Sequence, residues 1–184
     1  MMSMHARTAS TILSAVKSTL SSQGLSEVIV VGHSLGGALA LLDGLYLSLQ
    51  LPGVAVNVIS YGMPRVGNQA FANFVDSQLN GDVVHVNNRE DPVPVLPPIA
   101  LGFHHPSGEV HIQDSGEWDL CPGALSFFLR LCMARSIGSS LTFAQPYSGQ
   151  DNPSTLCIAG DLEDIFDANL ADHIGPYAGI NIGC

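Results

Sequence analysis

Basic residues are scarce. Six Lys plus Arg stand against sixteen Asp plus Glu, a formal net charge of −10. Such a surface repels phosphate, which argues against a nucleic-acid partner and against docking on an anionic bilayer, while neutral oil or polymer surfaces stay open. Nothing approaches the roughly 18 consecutive apolar residues of a membrane-spanning helix, so no stable membrane anchor is expected. The N-terminal MMSMHARTAS lacks the apolar core of a secretory leader. If the protein is exported, its signal lies outside this sequence. Cysteine is sparse, four in all, at 121, 132, 157 and 184. None forms C-x-x-C, which argues against a zinc site. Three of them sit beside loop-like residues or at the terminus and lean towards disulfides and secretion. Cys132, in an apolar run, also reads as a buried thiol.

What is present is globular. Apolar residues make up 46% and charged residues 12% of 184 positions, enough for one domain with its own core. Residues 8 to 22 read as an amphipathic helix with Ile12, Leu13, Val16 and Leu20 near one face, Thr8 or Ser10 as cap, and an end at Gln23-Gly24. Val28 to Val31 is a β-branched run suited to a parallel-sheet strand buried on both faces. Residues 35 to 50 form a buried helix, Val54 to Ser60 a strand, Asn68 to Leu79 a helix and Val83 to Val86 a strand. This alternation predicts an α/β fold with a parallel sheet and right-handed crossovers. DPVPVLPP, from Asp91, is a loop that excludes helix and central strand. Glu109 to Gln113 reads as a short strand and Asp172 to Tyr177 as a last helical turn. The segment 124–148 fits its surroundings poorly. It reads either as a core or surface helix plus loop, or as an insertion.

Gly32-His33-Ser34-Leu35-Gly36-Gly37 fits G-x-S-x-G between a strand and a helix, the context that the motif needs. A serine there sits on a tight strand-to-helix turn with its hydroxyl above the sheet. Small residues are required where backbones crowd, at Gly32 and Gly36. The helix start places the Leu35 N–H near a developing oxyanion. His33, adjacent in sequence, is expected to point away from Ser34 and to be structural.

A serine hydroxyl needs a base, and the base an orienting acid, in the chain order Ser, acid, His. Asp91 follows the strand Val83 to Val86 and precedes a proline-stiffened loop. Glu90, Asp114 and Asp119 remain rivals, and an Asp-Pro turn is the plain alternative for Asp91 itself. Asp76 and Asp82 lie at the wrong end of that unit. His5 and His33 precede the serine, and His85 is mid-strand. His173, on a late loop, is preferred over His104, His105 and His111, which stay open.

Together these motifs resemble the fungal class 3 lipases of the Rhizomucor type. The matching text is VVGHSLGGALA (30–40), YGMPRVGNQAFANFV (61–75), NNREDPVPVLPP (87–98), GFHHPSGEVHI (102–112) and DHIGPYAGI (172–180). The resemblance implies an α/β-hydrolase fold, Ser34 as nucleophile, Asp91 as acid, His173 as base and Leu35 as an oxyanion donor. It implies an esterase acting on acylglycerols or, in some relatives, feruloyl esters. Such an enzyme is secreted and uses no cofactor and no metal. We expect a monomer acting on an ester or lipid substrate at an oil–water interface. Cys121 and Cys157 look like a disulfide pair, and Cys184 like the partner of a cysteine outside this sequence. Only about thirty residues precede Ser34, so the early strands, the lid helix and the second oxyanion donor are expected to be missing. That leaves open a catalytically inactive fragment. A peptidase or thioesterase on the same fold is the remaining alternative. Residues 124–148 interrupt family-like text, which favours the insertion.

Overall fold

A computed structural model describes residues 2–79, 82–121, 142–143, 151, 157 and 168–180. The chain opens with α1 (Met2–Gln23), β1 (Glu27–His33), α2 (Leu35–Gln50) and β2 (Ala55–Tyr61). It continues through the short β3 (Gly67–Asn68), α3 (Gln69–Leu79) and β4 (Val83–Asn88). The short β5 (Phe103–His104), β6 (Glu109–Ile112), β7 (Trp118–Leu120) and β8 (Thr142–Phe143) complete the strands. Single 3₁₀ turns lie at Ile99–Leu101 and Leu170–His173. Most of the proposed insertion 124–148 lies outside the described residues.

α1 begins six residues before the expected start. Met2 to Gln23 contains neither Gly nor Pro, so nothing in the sequence stops the helix from extending backwards. Thr8 is therefore interior and not a cap: its hydroxyl donates to the carbonyls of His5 at 3.3 Å and Met4 at 3.5 Å. The far end is as expected, with the Leu25 N–H closing on Leu20 O at 3.0 Å across Gly24.

The main sheet runs β1-β2-β4-β6-β7-β8. β1, β2, β4 and β6 run parallel to one another, and β7 runs antiparallel to β6. The βαβ units around α2 and α3 put one core on the helical face. Leu41, Leu47, Val58, Val75 and Val83 are its buried centre, with Leu13, Val16 and Leu20 of α1 packed against it. On the other face Val84, Val86, Val110, Ile112, Leu120 and Tyr177 form a second cluster.

β1 departs from the expectation of a strand buried on both faces. Val28 and Val30 pack on the helical core. Ile29 and Val31 are 56% and 60% exposed. β1 is the edge of the sheet, and among the described residues nothing covers its second face.

Candidate active site

The site lies at the carboxyl ends of the parallel strands, where the backbone leaves the sheet and loops are free to vary. Ser34 follows β1 directly and caps α2 with φ 56° and ψ −127°. A positive φ is costly for a side-chain-bearing residue and has to be imposed by its surroundings. Here the Ser34 N–H donates to Tyr61 O at 2.8 Å, while Ser34 O accepts from the Gly37 N–H at 2.9 Å. Gly32 makes the turn possible, since a Cβ there would lie 2.2 Å from Gly36 O. Gly36 does not play the matching role expected of it. A Cβ at Gly36 would meet nothing within 4 Å. The carbonyl of Gly36, on its backbone, makes the close approach. Leu35 is the first residue of α2, so its N–H has no acceptor within the helix.

The structure brings the three leading candidates into one line. Ser34 Oγ lies 2.7 Å from His173 Nε2, and His173 Nδ1 lies 2.8 Å from Asp91 Oδ2. A carboxylate accepts, so Nδ1 carries the proton and Nε2 presents its lone pair to the serine hydroxyl. Asp91 is fully buried, and its Oδ1 accepts the Val93 N–H at 2.8 Å. Burial raises its pKa from the ordinary carboxylate value, against the lowering pull of the hydrogen bonds from His173 and the Val93 N–H.

Gly62, after β2, escaped the reading of the sequence. A Cβ there would come within 2.9 Å of both Asp91 Oδ2 and His173 Nδ1 and 2.8 Å from Tyr177 Oη. Its φ of 54° also favours glycine. The visible signal was a glycine straight after a buried strand. Tyr177 was also missed as a site residue. Its hydroxyl donates to His173 O at 3.3 Å. Burial first, then the Asp91 and Asp172 carboxylates, raise its pKa, so the phenol keeps its proton. Asn88, fully buried, donates from Nδ2 to Asp172 O at 2.9 Å. His33 is not turned away from the site. Its ring lies 4.7 Å from that of His173, and its Nε2 is 2.7 Å from His173 O.

The other candidates have different partners. His104 Nδ1 faces Asp151 at 3.1 Å, and His111 Nε2 bonds Arg89 O at 2.9 Å. His85 and His105 stack at 4.7 Å and donate to the carbonyls of Pro106 and Pro94. Burial lowers both pKa values, to about 4 for His85 and about 3 for His105. Asp76 accepts from the Ser107 N–H and hydroxyl. Asp119 is buried within β7, and the Glu90 carbonyl accepts from the Asn169 N–H at 2.9 Å. Cys121 and Cys157 form a disulfide, Cα to Cα 5.9 Å. Glu109 lies beside them, but the joined sulfurs offer no thiolate to a metal.

Compared with known families, residues 1–101 match the model of "Lipase (class 3)". The chain belongs to the class 3 lipase family. Among curated relatives of this chain, one secreted mono- and diacylglycerol lipase of Malassezia globosa is 43% identical over 127 residues, covering 67% of this chain and 41% of the relative. Another from the same organism is 35% identical over 173 residues, covering 94% of this chain and 47% of the relative. The chain thus spans less than half the length of these relatives. The Rhizomucor miehei triacylglyceride lipase structure superposes with a TM-score of 0.72 at 28% identity, over 97% of this chain and 57% of that one. The fold is accordingly that of the α/β-hydrolases. Among the described residues, no helix is long and apolar enough to cross a membrane.

Proposed function

We propose that the protein is a serine carboxylic-ester hydrolase acting on acylglycerols, in which Ser34, His173 and Asp91 are nucleophile, base and acid. The observation carrying this reading is the unbroken line of hydrogen bonds, 2.7 Å from Ser34 to His173 and 2.8 Å from His173 to Asp91. His173 Nε2 takes the hydroxyl proton as Ser34 Oγ bonds to the ester carbonyl carbon. Asp91 stabilises the imidazolium so formed. The Leu35 N–H, at the positive end of α2, receives the negative charge that develops on the carbonyl oxygen. Collapse breaks the ester C–O bond, and the leaving alkoxide takes its proton from His173. Water, deprotonated by the same nitrogen, then releases the acid and restores Ser34.

Exposed Leu35 and Ile174 stand next to Ser34 and His173 in the chain. Apolar side chains at the rim suit an apolar acyl group. The Malassezia relatives, secreted mono- and diacylglycerol lipases, support mono- and diacylglycerols as substrates and secretion as the destination. The acidic charge of −10 is compatible with a neutral lipid surface. We take the chain as one partial domain, acting as a monomer with no cofactor. A second reading has an observation behind it. The uncovered apolar face of β1 favours a chain that is complete only with further polypeptide beside that edge, and inactive without it.

Hydrolysis of short and long p-nitrophenyl esters, with Ser34→Ala alongside, tests the proposal. Activity abolished by Ser34→Ala is the expected result, with the chain-length profile separating lipase from short-chain esterase. Turnover unchanged in the variant would sink it. A folded but inactive wild-type chain would favour the second reading.

A further inference from the structure

The base sits on a poor support. The 3₁₀ turn Leu170–His173 has four residues, and its backbone closures into the next residues are Ile174 N–H to Ala171 O at 3.1 Å and Gly175 N–H to Asp172 O at 3.3 Å. So short a turn has little stability of its own, because nucleation is costly and few bonds repay it. Yet the imidazole must be held within a few tenths of an ångström of a serine 139 positions earlier in the chain. Something beyond the turn has to fix its backbone.

Two strand ends do so. β4, which leads to Asp91, also supplies Asn88, whose amide holds Asp172 O at 2.9 Å. β1, which leads to Ser34, also supplies His33, whose Nε2 holds His173 O at 2.7 Å. A carbonyl oxygen only accepts, so His33 Nε2 carries a proton in either charge state of its ring. The two bonds between His33-Ser34 and His173 close a small ring. One fixes the backbone of the base and the other its Nε2. A hydrogen bond to the side chain alone would leave the imidazole free to swing about the turn; the second attachment removes that freedom.

We propose that His33 is a positioning residue: its Nε2–H to His173 O bond ties the base's backbone to the strand that presents the nucleophile. The inference rests on the serine-esterase reading above. Losing such an anchor displaces the base without touching substrate, and a misplacement of about 1 Å costs up to about 100-fold in rate.

The test compares His33→Leu and His33→Gln with the wild-type chain and with Ser34→Ala. It measures kcat and KM on a p-nitrophenyl ester and amide hydrogen exchange at Ile174 and Gly175. Leu removes the donor, while Gln carries an N–H at similar reach. His33→Leu should lower kcat at least about tenfold with KM within about twofold. Exchange at Ile174 and Gly175 should quicken, and His33→Gln should recover most of both. The inference is overturned if His33→Gln is as impaired as His33→Leu, which would assign the effect to ring packing, or if His33→Leu leaves both readouts unchanged. Should Ser34→Ala hydrolyse as well as wild type, the esterase reading fails, and the exchange measurement still decides the role of His33.

Discussion

β1 and β4 carry similar text to opposite ends. Glu27–His33 reads EVIVVGH and Val83–Asn88 reads VVHVNN. The more apolar strand is the more exposed, with Ile29 and Val31 over half open. The more polar strand is buried at every position, His85, Asn87 and Asn88 included. Burial follows place in the sheet, edge against centre, and not hydropathy. The buried polar groups of β4 are tolerable because side-chain donors are used: Asn87 donates to Glu109 at 3.2 Å, Asn88 to Asp172 O and His85 to Pro106 O. The polar end of the central strand holds the turn that carries His173 and leads to Asp91.

The largest expected break lies just beyond β4. Asp91→Asn should lower ester turnover by about 10⁴, since the amide no longer selects the right imidazole tautomer; a loss under about tenfold would remove Asp91 from the mechanism. The same variant should gain stability at neutral pH. The pKa of Asp91 is raised in the fold by burial, so ionisation favours the unfolded chain, and the resulting cost appears as pH rises above the ordinary carboxylate value. Urea unfolding of both proteins at pH 4 and pH 7 would show the gain only at the higher pH.

The covered half of the sheet is also tied covalently. Cys121–Cys157 joins residues 36 apart, and removing both sulfurs by serine substitution should cost about 2–4 kcal/mol in urea unfolding. A cost below about 1 kcal/mol would mean that the closed loop is restrained by other means.

Acid should weaken the centre before the edge. His85 and His105 have pKa values lowered to about 4 and about 3, by burial first and, for His105, then by the positive charge of Arg65. The unfolded chain takes up these protons near pH 6.5. Their contribution is therefore whole above that pH and falls as pH drops towards 4, roughly tenfold in the folding equilibrium per pH unit per histidine. His105→Gln should flatten a stability-against-pH curve between pH 6.5 and 4; an unchanged slope would assign acid sensitivity elsewhere.

The sharpest comparison uses one substitution twice. Val86→Ala in β4, where the side chain is 3% exposed, should cost about 2 kcal/mol, and Val31→Ala in β1, where it is 60% exposed, under about 0.5 kcal/mol. Equal losses would show that the outer face of β1 is covered in solution.

The sequence carried the α/β alternation, since runs such as Val83–Val86 and the Leu-Ala text of α2 have one reading only. It also carried Ser34, Asp91 and His173 as leading candidates, because chain order and elbow chemistry restrict them. It did not carry the openness of β1, which depends on what stands beside an edge. It misplaced the start of α1, because a Thr inside a helix bonding back to a carbonyl looks the same in the text as one capping it. It did not carry the partner of His33, because alternation along a strand fixes the side of the sheet but not how far a returning loop, 140 positions away, will lean over it. Gly62, Asn88 and Tyr177 were in plain sight, but their value is a distance, and distances between strands are not written in sequence.

The bond from Ser34 to His173 closes 139 residues of chain. The intervening strands shorten that loop once they pair, so this juncture is expected to form after them. A chain emerging from the ribosome therefore presents Ser34 long before His173 has been made. If Ser34 and His173 act as proposed, the hydroxyl stays an ordinary alcohol until Leu170–His173 have docked over β1.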